Sequence, residues 1–200
     1  ASPELNHFPL LRSAASLARP LILSSGVSTL ADIERALEAT SGASERALLH
    51  CVTSYPAPEE DYNLSVLESL SAIFGIPVGV SDHSLDPLLV PLLATAYGAA
   101  IIEKHICLSR ADPGLDDPVA LPPEEFSAMS RSVRESLGTS SDPDSLRKNI
   151  VEVLTEKYGR EKIERVIGNG IKRLAPSEKN NYLRTNRSLH FVSGFKAGHP

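Results

Sequence analysis

Two short apolar runs, each stopping at a polar stretch that carries a histidine, restrict this chain more than any other feature. Ile76-Pro77-Val78-Gly79-Val80 leads into Ser81-Asp82-His83-Ser84, and Ala99-Ala100-Ile101-Ile102 leads into Glu103-Lys104-His105. Between them, Asp86 to Gly98 is long enough for one helix, so the unit reads strand, helix, strand. Polar side chains then collect where both strands stop, and in parallel α/β folds ligands bind at the carboxyl ends of strands. Two imidazoles from neighbouring strand ends can share one metal ion, with Glu103 and Asp82 close by.

The same rhythm extends in both directions. Phe8 to Leu17 has a helical period, and Leu21-Ile22-Leu23 reads as a short buried strand running into Ser24-Ser25-Gly26. Ser28 or Thr29 can cap a helix through Ile33, Ala36 and Leu37. Ala47 to Val52 is the next strand, ending in Thr53-Ser54-Tyr55-Pro56, and Leu64 to Phe74 is helical. After the two central strands comes a loop rich in Asp, Pro and Gly. Pro122-Pro123-Glu124 then opens another helix, with proline in its first turn. Ala1-Ser2-Pro3-Glu4-Leu5 reads as the polar end of a strand, which makes five strand-to-helix units. Such alternation argues a parallel sheet with helices outside. Two architectures remain, an open doubly wound sheet or most of an eight-stranded barrel without its first strands. Hydroxyl and imidazole residues at nearly every strand end favour the (β/α)8 TIM barrel, whose strands share one site.

The character changes after residue 138. Residues 139–180 read as a helical linker, with amphipathic stretches at Lys148 to Tyr158 and Glu161 to Ile167. Residues 181–200 read as the beginning of a new unit, with a strand at Asn186 to Val192. The opening and closing residues suggest a segment of a longer protein. A net charge of −5 gives no basis for a nucleic-acid surface or an anionic membrane. The apolar runs are too short to span a bilayer, and no signal-peptide pattern is visible. Cys51 and Cys107 fit free, buried thiols and a reducing cytoplasm better than a disulfide framework.

A lone histidine near a strand end is commonly just hydrogen-bonded. Two at matching ends, His83 and His105, each beside a carboxylate, raise the case for a divalent metal such as Mn²⁺, Co²⁺, Zn²⁺ or Fe²⁺. Ser2, Ser24, Ser25, Thr53 and Ser81 form a second set, able to hold phosphate or carboxylate oxygens, with Gly26 and Gly79 allowing close backbone approach. Local capping is the plainer role for such hydroxyls, and it is preferred for Ser28 and Ser84. Glu4, Glu103 and Asp116 are candidate acids or bases, and Tyr55 can stack on or bond a polar ligand. No P-loop or dinucleotide fingerprint is present.

Four stretches, Leu23-Ser24-Ser25-Gly26-Val27, Leu49 to Pro56, Gly79 to Ser84 and Glu103-Lys104-His105, together resemble the sialic acid synthase (N-acetylneuraminate synthase) family. Asn186-Arg187-Ser188-Leu189 and Phe195 to Gly198 resemble the start of its C-terminal antifreeze-like (SAF) domain. The resemblance implies a (β/α)8 barrel followed by a SAF domain, in a domain-swapped homodimer. It implies condensation of phosphoenolpyruvate with an N-acetylated amino sugar such as N-acetylmannosamine, giving a nine-carbon 2-keto acid and phosphate. By position, His83 and His105 would bind the metal, typically Mn²⁺, with Mg²⁺ or Co²⁺ as alternatives. Ser2, Ser24, Thr53 and Ser81 would hold phosphoenolpyruvate, while Tyr55 and Asp116 would contact the sugar. Glu4 and Glu103 fall on acidic active-site positions, and Arg187 resembles an arginine lent by a second subunit.

Three departures point to a branch with a different sugar, such as legionaminic, pseudaminic or spore-coat precursors. Gly114-Leu115-Asp116-Asp117 stands where Gly-Pro-Asp-His is commoner, the connector is long, and Asn186-Arg187 replaces a doubled arginine. The rival readings are another phosphoenolpyruvate-dependent keto sugar acid synthase and a non-catalytic sugar-binding barrel.

Overall fold

Alternate residues of a strand point to opposite faces of its sheet, and here that alternation separates chemistry from packing. The computed structural model describes residues 2–182, 184, 192–194 and 196–198. Among these, four strands form one parallel sheet in the order β1 (Leu21–Ser24), β2 (Arg46–Cys51), β3 (Val78–Asp82) and β4 (Ile102–Lys104). One face carries Leu23, Leu48, Val78 and Val80, all within the hydrophobic core beneath the helices. The opposite face carries Ser24, Cys51, Ser81 and Glu103. Register places Cys51 beside Ser81 and Ser81 beside Glu103.

Helices alternate with the strands: α1 (Phe8–Ala15), α2 (Leu30–Ala39), α3 (Val66–Phe74), α4 (Leu89–Ala96) and α5 (Pro123–Leu137). Thr29 rather than Ser28 caps α2. Its hydroxyl accepts from the Asp32 N–H, and the Asp32 carboxylate accepts from the Thr29 N–H at 2.8 Å. Ser28 instead donates to the Gly26 carbonyl. Gly75, at φ 63°, ends α3 in the left-handed conformation that glycine adopts without penalty. Every residue of α4 is buried, because the helix lies between the sheet and a further helical layer.

Three sequence expectations change. Ser2–Glu4 is a turn of 3₁₀-helix, so the described residues hold four strands rather than five strand-to-helix units. β1 is an edge strand, and Ile22 is 59% exposed, not buried. The strand expected at Asn186 to Val192 lies almost entirely outside the described residues.

Within 139–180, residues 143–158 and 160–167 are helical, and these helices are packed onto the sheet's helix layer. Asp142 caps α6 (Pro143–Tyr158), accepting from the Ser145 N–H at 2.9 Å. Ile150 and Leu154 of α6, with Ile163 and Val166 of α7 (Arg160–Ile167), are each at most 5% exposed and belong to the common core. Burial of each such side chain stabilises by about 1.5–3 kcal/mol, which holds α6 against α4 and α7 against α6 and the Glu59–Asp61 turn. Asn63 then fastens the chain beyond α7. Its amide oxygen accepts from the N–H groups of Asn169 and Gly170, and its nitrogen donates to the Ile171 carbonyl.

Candidate active site

The polar face of the sheet gathers most of the expected residues into one contiguous band at the strand ends. At the β1 end, the hydroxyls of Ser2 and Ser24 share a hydrogen bond of 2.7 Å. Gly26 lets Ser2 and Thr53 crowd together, since a Cβ there would lie 2.0 Å from the Thr53 hydroxyl and 2.8 Å from Ser2. Its close approach is therefore to protein side chains. Gly79 likewise makes room for the Ile101 carbonyl, 2.2 Å from where a Cβ would sit.

Cys51, which the sequence reading treated only as a buried thiol, sits at the middle of the band. Its sulfur lies 3.9 Å from the Thr53 hydroxyl and 4.0 Å from Nδ1 of His83. Burial pushes the thiol up, but the His83 ring and the hydroxyls of Ser2 and Ser24 outweigh it and bring the net shift downward. Burial also disfavours a charged His83, and the Cys51 sulfur, the Val52 carbonyl and Asp82 more than offset it, so that ring is held above its ordinary value.

The second half of the band carries the imidazoles. Nδ1 of His83 donates to the Val52 carbonyl at 2.9 Å, which leaves Nε2 as the nitrogen turned toward the Ser81 hydroxyl, 3.4 Å away. The His83 backbone N–H donates to the Tyr62 hydroxyl at 2.7 Å. Ser81 in turn donates to Glu103 at 2.7 Å. The His83 and His105 ring centroids are 5.4 Å apart, and Tyr55 stacks on His83 at 4.2 Å. Burial, with the nearby Cys51, Asp116 and Glu103, pushes the Tyr55 phenol up to about 12, so it stays a neutral donor at physiological pH. His105 reaches toward the half-exposed Asp116 carboxylate at 3.9 Å.

Two expectations need correcting here. Asp82 is no neighbour of a metal: strand alternation turns it to the opposite face from Ser81 and His83. There it forms a fully buried ion pair with Lys104 at 2.7 Å and accepts from the Ser84 N–H. Lys104 also donates to the Ser84 carbonyl, so the pair ties the β3 and β4 ends together. Ser25, grouped with the anion-binding hydroxyls, donates to the Leu49 carbonyl and is structural. Glu4 lies on the opening 3₁₀ turn, 3.2 Å from His7 Nδ1. Arg187 lies outside the described residues.

The donor set decides how well a metal fits. Among the described residues no three His, Cys, Asp or Glu side chains converge on a common point. His83 and His105 fit as a pair of imidazole ligands. The carbonyl bond on Nδ1 fixes the His83 ring in the tautomer that leaves Nε2 free, a common arrangement for ligating histidines. Any further donors would have to be water or substrate oxygens.

A parallel half-barrel that collects hydroxyls, carboxylates and paired imidazoles at its strand ends has the α/β architecture in which ligands bind at the carboxyl ends of strands. The NeuB family model matches residues 1–142, and the chain belongs to that family. Its fold is similar to the spore coat polysaccharide biosynthesis protein SpsE of Bacillus subtilis. The TM-score is 0.74 at 33% identity, covering 92% of this chain and 48% of that one. It also resembles a sialic acid synthetase from Leptospira borgpetersenii, solved with citrate, with a TM-score of 0.64, 34% identity, and coverage of 80% and 57%. An N,N'-diacetyllegionaminic acid synthase of Legionella pneumophila is 31% identical, over 96% of this chain and 60% of that protein. The chain thus spans about half the length of the relatives it matches.

Three residues at the strand ends lie outside the expected set: Cys51, Lys104 and Glu178, whose carboxylate accepts from the Val27 and Thr53 N–H groups. The first two were accessible through alternation, since Cys51 is two residues before Thr53 and Lys104 lies between Glu103 and His105. Glu178 had no such signal.

Proposed function

We propose that the protein to which this chain belongs condenses phosphoenolpyruvate with an N-acetylated amino sugar, giving a 2-keto sugar acid of the sialic acid type and phosphate. The observation that carries this reading is the unbroken band from Ser2 and Ser24 through Cys51 and Thr53 to Ser81, Glu103, His83 and His105. One end is rich in hydroxyls suited to an anionic substrate, and the other bears imidazoles and carboxylates suited to a polarised carbonyl. The names of the relatives agree with it, since they include synthases of legionaminic and sialic acids. Hexosamine-derived acceptors of the N-acetylmannosamine type would give a nine-carbon product.

On this reading each residue has a task. Of the paired Ser2 and Ser24 hydroxyls, one donates to the other and leaves a second donor for a phosphate or carboxylate oxygen. Ser81 now spends its proton on Glu103 and must rotate to donate to such an oxygen, so Glu103 acts as its resting acceptor. Tyr55, held neutral, offers a phenol O–H and a ring face to the sugar. Glu4 would handle the proton of the water that adds to carbon 2, and Asp116 would accept from sugar hydroxyls. His83 and His105 would hold a divalent metal, Mn²⁺ with Mg²⁺ or Co²⁺ as alternatives, which when bound would polarise the sugar aldehyde. Arg187, supplied by a second subunit of a homodimer, would complete the charge balance around the anionic substrate.

The test is phosphate release from phosphoenolpyruvate by the whole encoded protein, with Mn²⁺ and a panel of N-acetylated aldehyde sugars. Sugar-dependent release that disappears in His83→Ala is the expected result. A folded protein that releases no phosphate with any sugar would overturn the reading.

A further inference from the structure

The buried carboxylate of Glu178 lies more than 120 residues away in sequence from the strand ends that it touches. It is 1% exposed. One oxygen accepts from the Val27 N–H at 2.7 Å and from the Thr53 N–H at 2.8 Å. The other accepts from the Ala175 N–H at 3.1 Å. Val27 follows the β1 end that carries Ser24, and Thr53 follows the β2 end that carries Cys51. Three residues beyond Glu178, the Asn181 side chain donates to the Thr53 carbonyl at 3.1 Å, so Thr53 is held at both its N–H and its C=O.

The backbone held there would not stay in place unaided. Val27 has φ 48°, a left-handed conformation that a β-branched residue adopts only when its surroundings impose it. Gly26, just before it, fits with Thr53 and Ser2 only because it lacks a Cβ. The two loops therefore interlock beneath the hydroxyl band, and the Glu178 carboxylate bridges their N–H groups. The buried Lys172 ammonium supplies the nearby positive charge. Burial lowers its pKa, and the attraction of Glu178 works in the other direction. A carboxylate that accepts several N–H bonds in a dry site is held rigidly, since each charge-assisted bond is stronger than a neutral one.

We infer that Glu178 is a positioning residue for the phosphoenolpyruvate half of the site: it locks the Ser24–Val27 loop to Thr53 and so sets the spacing of the hydroxyls that receive the anionic substrate. The inference rests on the function proposed above. It couples the region after α7 to substrate affinity through one side chain, rather than through general docking of that region.

Three variants of the whole encoded protein test it. Glu178→Ala removes all three acceptor contacts. Glu178→Gln keeps one carbonyl oxygen for Val27 and Thr53 and sacrifices the bond to Ala175. Asn63→Gly loosens the same stretch of chain at Asn169–Ile171 and leaves the carboxylate alone, and glycine tolerates the φ of 48° at that position. The expected result is a KM for phosphoenolpyruvate raised about tenfold in Glu178→Ala, as small misplacements of binding groups do. The KM for the sugar should stay within about twofold, and Glu178→Gln should recover most of the loss. Amide exchange at Val27 and Thr53 should be slow in the wild type, fast in Glu178→Ala and slow in Asn63→Gly.

An unchanged KM for phosphoenolpyruvate in Glu178→Ala, or an equal rise in Asn63→Gly, would overturn the inference. Slow exchange at both amides in Glu178→Ala would do so too. A wild type without sugar-dependent phosphate release would overturn the proposed function instead. The positioning claim would then be decided by the two amides alone.

Discussion

Asp82 and His83 are adjacent in sequence and do opposite jobs, because a strand sends neighbours to opposite faces. Asp82 and Lys104 are both fully buried on the helix-facing side, where each is the other's counter-charge. Removing one partner of such a pair strands the other charge, at a cost of about 3–5 kcal/mol. Lys104→Met should therefore lower the free energy of urea unfolding by that amount, although Lys104 does not face the hydroxyl band. His50 on β2 tests burial through pH. Its ring is 4% exposed, donates through Nε2 to the Tyr62 carbonyl, and is lowered to about 3, chiefly by burial and then by the Lys172 charge. The unfolded ring titrates near its ordinary 6.5, so in the window below that value the unfolded chain binds a proton that the folded one refuses. Stability is present above about pH 6.5 and falls by about 1.4 kcal/mol per unit as pH drops toward 3. Melting curves from pH 7 to 4.5 should fall less steeply for His50→Leu than for the wild type. The band of Ser24, Thr53, Ser81, Glu103, His83 and His105 was legible because each lies at the end of a recognisable apolar run. Alternation puts Cys51 on the same face as Thr53 and Lys104 on the face opposite Glu103, but the partners of these residues were not legible, since cross-strand neighbours are assigned only once register is known.

At the scale of elements, α6 and α7 carry the clearest lesson. Their amphipathic pattern marks them as helices, but a pattern does not say which surface receives the apolar stripe. For α6 the receiving surface is α4, whose eight residues are all apolar or small and all buried, as only a helix covered on both sides can be. Helix α7 packs instead on α6 and the Glu59–Asp61 turn, its last carbonyls accepting from the Leu64 and Ser65 N–H groups. An α4 apolar all round except for Thr95, whose hydroxyl donates to the Pro91 carbonyl, was in that sense a sign that another layer must cover it. Leu154 on α6 is 1% exposed within this layer, so Leu154→Ala should cost about 2–5 kcal/mol, measured by denaturant unfolding. An effect below about 1 kcal/mol would mean that α6 is only loosely attached. Val153, its neighbour at 62% exposure, is the matched control and should cost little when changed to alanine. Glu178 was beyond sequence reasoning for a related reason: its partners are backbone N–H groups, which have no identity in a sequence.

At the scale of the molecule, among the described residues β1 leaves one edge of the sheet open, while beyond β4 the chain pairs only through a single parallel bridge between Ile106 and Leu121. Ile22 on β1 is 59% exposed. Beyond β4, Ile106 and Leu108 are 59% and 85% exposed. An unpaired parallel edge presents a row of free N–H and C=O groups to any other strand, and apolar side chains along it make such pairing favourable. β1 has few of the usual protections: its four residues contain no charge and no proline. In related structures the matched region is only about half of the chain, and a closed barrel would pair both edges internally. Residues 1–200 expressed alone should therefore associate as concentration rises, with a sedimentation coefficient that grows over the micromolar range. Ile22→Lys should suppress the growth by placing a charge on the exposed edge. If the isolated segment instead sediments as a monomer at every concentration and melts cooperatively, the core beneath the helices is sufficient by itself. Edge pairing would then contribute to the site's architecture without being required for folding.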